Sequence, residues 1–104
     1  MGKTLGRSIM KHCILVKWSD EIKDKHEFVK TVKSVIDKLL IIEGIHKIDY
    51  VENCIERSNR YDLLIRIEMD KEVLPIYDAS APHLEWKEKY GKFAEKKAIF
   101  DFEE

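Results

Sequence analysis

Residues 9–22 read IMKHCILVKWSDEI, and the alternation in the first ten decides the fold. Met10, His12, Ile14, Val16 and Trp18 fall on one face of an extended chain and Lys11, Cys13, Leu15 and Lys17 on the other, because successive strand side chains point to opposite sides. Both faces carry apolar residues, so both are expected to be covered.

The segments that follow supply partners and a layer. Ser19 reads as an N-cap, Asp20 and Glu21 suit the positive end of a helix, and Ile22, Phe28, Val29, Val32, Val35, Ile36, Leu39 and Leu40 recur at helical spacing. A helix is predicted from about Asp20 to Ile41, with Gly44 offering the left-handed residue that helix ends favour. A second strand is expected at about His46 to Asn53. The polar loop CIERSNR follows, then a third strand, YDLLIRIEM, with Leu63, Ile65, Ile67 and Met69 on one face. The loop is short enough for these two strands to pair antiparallel. DKEVLPIYDAS reads as a short helix confined by Pro75, a further helix starts near Pro82, and KKAIFDF closes the chain as a fourth strand.

Strand, helix, strand, strand, helices, strand is the βαββαβ order of the ferredoxin-like fold, an α+β class with a four-stranded antiparallel sheet and helices on one face. The other sheet face would be bare, with Cys13, Leu15 and Leu64 beside Lys and Arg. Soluble monomers seldom expose such a patch. A symmetric homodimer, packed helix-free face to helix-free face, covers it.

A chain of 104 residues is enough for one core and too short for two. Residues 1–9 read as a flexible extension and 10–104 as the domain. With 19 basic and 20 acidic residues the net charge is −1, which supplies no field to gather nucleic acid. The leader MGKTLGRS has no apolar core of a secretory signal, and no run of residues is long and apolar enough to span a membrane. A cytoplasmic protein with reduced Cys13 and Cys54 is the expectation. No Gly-rich phosphate loop, nucleophile elbow or paired cysteine motif occurs. His26 and His46 have no partner at metal-ligand spacing and read as solvated, so no metal or cofactor is expected.

IMKHCILVKWSDEI before a long helix, GI leading into a strand, YDLLIRIEM, IYDASAPHLEW and the closing KKAIFDFEE resemble the stress-responsive A/B barrel (Dabb) family over about residues 10–103. The resemblance implies a dimeric α/β barrel of two ferredoxin-like protomers. Few members of that family have an established activity. One plant branch, similar to olivetolic acid cyclase, closes a linear polyketide by aldol chemistry without metal or cofactor, using a tyrosine and a histidine between sheet and helices. On that resemblance Tyr77 matches the tyrosine, His83 the catalytic histidine and His12 a cavity histidine from the first strand. The match is imperfect: Ser80, Ala81, Pro82, His83 replaces a His-Pro-x-His run, and Leu63 stands where another cavity histidine is found.

The residues themselves fit such a wall. His83, Trp86, Tyr90 and Phe93 share one helical stripe. A histidine titrates near neutral pH and a phenol donates to a developing oxyanion without ionising. His83 is thus the candidate general base and Tyr77 the candidate oxyanion donor, with His12, Ile14, Leu63, Trp86 and Tyr90 lining a ligand site. Three readings stay open: a binder of a small organic ligand, a cofactor-independent enzyme, and an assembly module whose Tyr77 and His83 merely pin a helix corner.

Overall fold

A computed structural model describes residues 8–103; the expected N-terminal extension lies, up to residue 7, outside the described residues. The elements run β1 (Ile9–Trp18), α1 (Lys25–Ile36), β2 (Ile45–Glu52), β3 (Leu63–Asp70), α2 (Leu74–Ala79), α3 (Ala81–Tyr90) and β4 (Ala94–Glu103). The four strands form one antiparallel sheet in the order β2-β3-β1-β4. This is the ferredoxin-like arrangement. Cys13 and Cys54 are free thiols, and β3 stands between β1, which holds Cys13, and β2, which Cys54 follows. No helix among the described residues is long and apolar enough to cross a membrane.

The period-two alternation of β1 and β3 divides the sheet. Met10, Ile14, Val16 and Trp18 join Leu63, Ile65, Ile67 and Met69 in the core, where they meet Val29, Val32, Val35, Ile36 and Leu39 from α1 and the turn after it. The register sets Leu15 opposite Leu64 and Ala98, and Val51 opposite Leu64, on the face away from the helices. The next row on that face is Asp49, Arg66, Cys13 and Phe100, with Arg66 paired to Asp49 at 3.2 Å. Phe100 is 66 % exposed, and its ring lies 6.2 Å from that of Phe102 on the same strand. The helix-free face therefore carries more apolar surface than Cys13, Leu15 and Leu64 alone.

The predicted long helix is shorter at both ends. It begins at Lys25, capped by Asp24, whose side chain accepts from the Glu27 N–H at 3.0 Å, and gives way to a 3₁₀ segment over Asp37–Ile41. Ser19 fails as the cap for a tertiary reason: its N–H donates to the Phe93 carbonyl at 2.7 Å, tying it to the start of β4, and its carbonyl accepts from Ile22 in a turn. Leu40, expected on the apolar stripe, is exposed as the chain leaves helical spacing. Gly44 has φ +97°, and a Cβ there would lie 2.4 Å from Val73 Cγ2, so both backbone and neighbour demand glycine. Pro75 falls in the first turn of α2, where its missing N–H costs nothing.

Candidate functional site

Ser80 makes the corner on which the site depends. Its N–H and its hydroxyl both donate to the Tyr77 carbonyl, at 3.1 and 2.7 Å, closing α2. The same hydroxyl accepts from the His83 N–H at 3.4 Å and caps α3, with Pro82 in the first turn. One residue thus ends one helix and starts the next. Tyr77, in the last turn of α2, is thereby held beside His83, in the first turn of α3, with ring centroids 4.5 Å apart. From below, the His12 ring on β1 approaches Tyr77 edge-on at 5.0 Å.

Around these three rings lies a cleft of about 300 Å³ between the β1–β4 side of the sheet and α2–α3. Leu74, Ile14, Ile99 and Trp86 give it apolar walls, and Asp78, Asp101, Lys87 and Lys97 surround it with charge. Of the expected residues, His12, Ile14, Tyr77, His83 and Trp86 line this cleft. Leu63 and Tyr90 do not: Leu63 is packed in the core, and the Tyr90 hydroxyl donates to the Thr31 carbonyl on α1 at 3.1 Å.

The hydrogen bonds fix the proton positions. His83 Nδ1 lies 2.9 Å from the Asp78 carbonyl, which can only accept, so Nδ1 carries a proton, and in the neutral ring the lone pair is on Nε2. His12 Nδ1 lies 2.5 Å from Asp101 Oδ1, directly across the β1–β4 ladder, and the carboxylate orients that ring in the same way. Tyr77 is only 1 % exposed. Burial, then the nearby Asp78 and Asp101 carboxylates, push its phenol well above its ordinary value. Among the described residues the Tyr77 hydroxyl has no hydrogen-bond partner. A phenol donor beside an imidazole base is an arrangement able to bind a carbonyl compound and to move a proton at its α-carbon.

Asp101, Lys87, Lys97 and Ile99 escaped sequence reading. Lys97, Ile99 and Asp101 alternate along β4 and share a face, a signal present in KKAIFDF, but only the register of β4 against Val16, Ile14 and His12 turns that face toward the helices. The two other histidines are paired as well: His46 Nε2 to buried Asp70 at 2.9 Å and His26 Nδ1 to Glu52 at 3.0 Å. Among the described residues no group of three or more His, Cys, Asp or Glu could hold a metal ion. A larger hollow of about 610 Å³ lies under the Asn53–Arg60 loop. It is lined by both basic and acidic side chains, and none of the aromatic or histidine residues of the cleft reaches it.

No protein-family model and no curated protein matches the chain. Solved structures do. A dimeric protein of unknown function and ferredoxin-like fold from Bacteroides fragilis superposes with a TM-score of 0.75 at 22% identity, over 92% of this chain and 96% of that one. A Dabb family protein with a ferredoxin-like fold from Mesorhizobium loti gives 0.71 at 13% identity, over 92% and 96%. A hydroxynitrile lyase from Passiflora edulis gives 0.76 at 11% identity, over 95% of each chain. The likeness establishes the ferredoxin-like fold, which a Dabb family protein shares.

Proposed function

We propose that this chain is a homodimer of the stress-responsive A/B barrel type whose protomers each bind a small organic ligand in the cleft between sheet and helices. The convergence of Tyr77, His83 and His12 on an open cleft of about 300 Å³ carries this reading. A pinned helix corner has no need of a buried phenol whose hydroxyl is left free. The dimer is supported by the apolar row on the helix-free face and by the dimeric state of the Bacteroides fragilis protein. Native mass spectrometry of the purified protein tests both halves at once. A mass of two chains plus a retained small molecule is expected, and a bare monomer at micromolar concentration would sink the reading.

A second reading, a cofactor-independent enzyme of the polyketide-cyclase (aldol) type, is favoured by the protonation pattern. With Nδ1 held by the Asp78 carbonyl, His83 Nε2 would take the α-proton of a β-keto compound as general base. The Tyr77 phenol, kept neutral by its burial, would donate to the enolate oxygen. That the fold also hosts the Passiflora lyase is an analogy of scaffold alone. Deuterium exchange into acetoacetyl thioesters, followed by proton NMR, distinguishes enzyme from binder. Exchange should fall to the buffer rate in His83→Ala and by about 10²-fold in Tyr77→Phe; wild-type exchange no faster than buffer removes the enzyme.

A further inference from the structure

The cleft has two unlike parts. The chain reverses through Gly91–Phe93, so α3 and β4 run in opposite senses. His83 at the start of α3 is linked through Tyr77 and His12 to Asp101 near the end of β4, while Lys87 lies one turn further along α3 and Lys97 four residues earlier on β4. Tyr77, His83, His12, Asp78 and Asp101 form one cluster by contact, and Lys87 and Lys97 line the same cleft outside that cluster. Ile14, Ile99 and Trp86 make the apolar floor.

Most lysines among the described residues are paired with a carboxylate; Lys87 and Lys97, like Lys23, Lys92 and Lys96, are not, and of these five only Lys87 and Lys97 line the cleft. Lys17, Lys25, Lys30, Lys33, Lys38, Lys47, Lys71 and Lys89 each stand within ion-pair distance of a carboxylate. Lys87 and Lys97 have no such partner among the described residues, although the cleft they line also holds Asp78 and Asp101. Asp101 is committed to His12. Two unpaired ammonium groups lining one cleft with apolar walls are able to receive an anion. Lys87 stands in the C-terminal half of α3, whose negative dipole pole opposes an anion there and opposes a doubly charged phosphate more than a singly charged carboxylate.

We propose that the ligand is a monocarboxylate whose anionic head sits between Lys87 and Lys97 and whose apolar body crosses Ile14, Ile99 and Trp86 to reach the Tyr77–His83 pair. This rests on the reading of the cleft as a small-molecule site and adds the chemical class. From Lys97 to Asp101 the strand advances about 13 Å. After allowing for the lysine side chain, a body of roughly six to eight carbons spans the floor.

Octanoate and octanamide, alike in shape and different in charge, are the probes, titrated into the full-length protein by calorimetry and by NMR of the tryptophan indole signals. Octanoate is expected to bind about tenfold more tightly than octanamide at low salt, with the difference shrinking as ionic strength rises. In K87Q/K97Q the preference should vanish while octanamide binding holds, and K97Q alone should lose part of it. Both lysines are exposed, so a thermal melt that matches wild type certifies the variants. Equal binding of the two probes to wild type overturns the carboxylate assignment and leaves a charge-blind ligand site. Tighter binding of octyl phosphate than of octanoate overturns it in favour of a phosphate head. Absence of binding by all three overturns it together with the ligand-site reading.

Discussion

His83 and Trp86 sit one turn apart on α3, and truncating each to alanine separates a chemical role from a packing role. Trp86 is 3 % exposed, with its ring 6.2 Å from that of Trp18 and 5.7 Å from that of Tyr90. Its removal leaves a cavity in the aromatic cluster and should cost about 3–5 kcal/mol. His83→Ala loses one hydrogen bond to the Asp78 carbonyl, worth about 1 kcal/mol, and one ring contact with Tyr77, worth about 0.5–1 kcal/mol. Asp78 is exposed, so its carbonyl is rewetted and incurs no further penalty. The expected total is about 1–2 kcal/mol, at least 1 kcal/mol below the Trp86 variant. Urea unfolding resolves that gap, with Trp18 fluorescence as the reporter common to both variants. Protomer concentration must be held constant, because dissociation of a dimer is coupled to unfolding. An octanoate titration on each variant completes the test: His83→Ala should lose binding or turnover while staying folded. A His83→Ala protein that unfolds as early as Trp86→Ala, with ligand affinity unchanged, would mean the histidine is a packing element and the site is misassigned.

Gly44→Ala should destabilise by at least about 1–2 kcal/mol, since it forces a side chain into left-handed backbone and against Val73; a wild-type urea midpoint would refute this. Phe100→Glu on the helix-free face should yield a monomer by light scattering, whereas Ile76→Glu, equally solvent-facing on α2, should leave the dimer intact. Burial and the hydrogen bond donated to Asp37 raise the Tyr50 phenol, and burial raises that of Tyr77. Because the unfolded chain ionises these phenols first, their contribution is complete below about pH 10 and declines above it. Tyr50→Phe should therefore flatten the alkaline fall in melting temperature, and an unchanged alkaline slope would contradict the assignment.

How far the sequence could be read depended on the range of the interactions involved. The alternation of β1 and β3 named eight core positions correctly because a two-residue period is set by the strand itself. The start of α1 was misplaced because Ser19 and Asp24 are both good caps locally, and the choice between them is made by the Phe93 carbonyl, more than seventy residues away. Tyr77 and His83 were legible because one serine joins their helices. Asp101, Lys97 and Phe100 were not, since the faces of β4 acquire meaning only from its register against β1. Leu63 was placed by likeness and Tyr90 by helical stripe; side-chain packing took the one into the core and the other toward α1.

The pairing of β1 with β4 also dictates an order of events during synthesis. His12 and Asp101 are 89 positions apart, and β1's other neighbour, β3, ends at Asp70. At roughly 5–20 residues per second, on the order of 3–10 s pass between the emergence of β1 and that of its first partner. Through that interval a strand apolar on both faces has only α1 to shelter it, which makes the early chain a client for holdases and the topology a slow one. A nascent chain halted after β3 would already own most of its core. It would have no cleft, because Tyr77, His83 and Trp86 arrive with α2 and α3, and Lys97, Ile99 and Asp101 with the final strand.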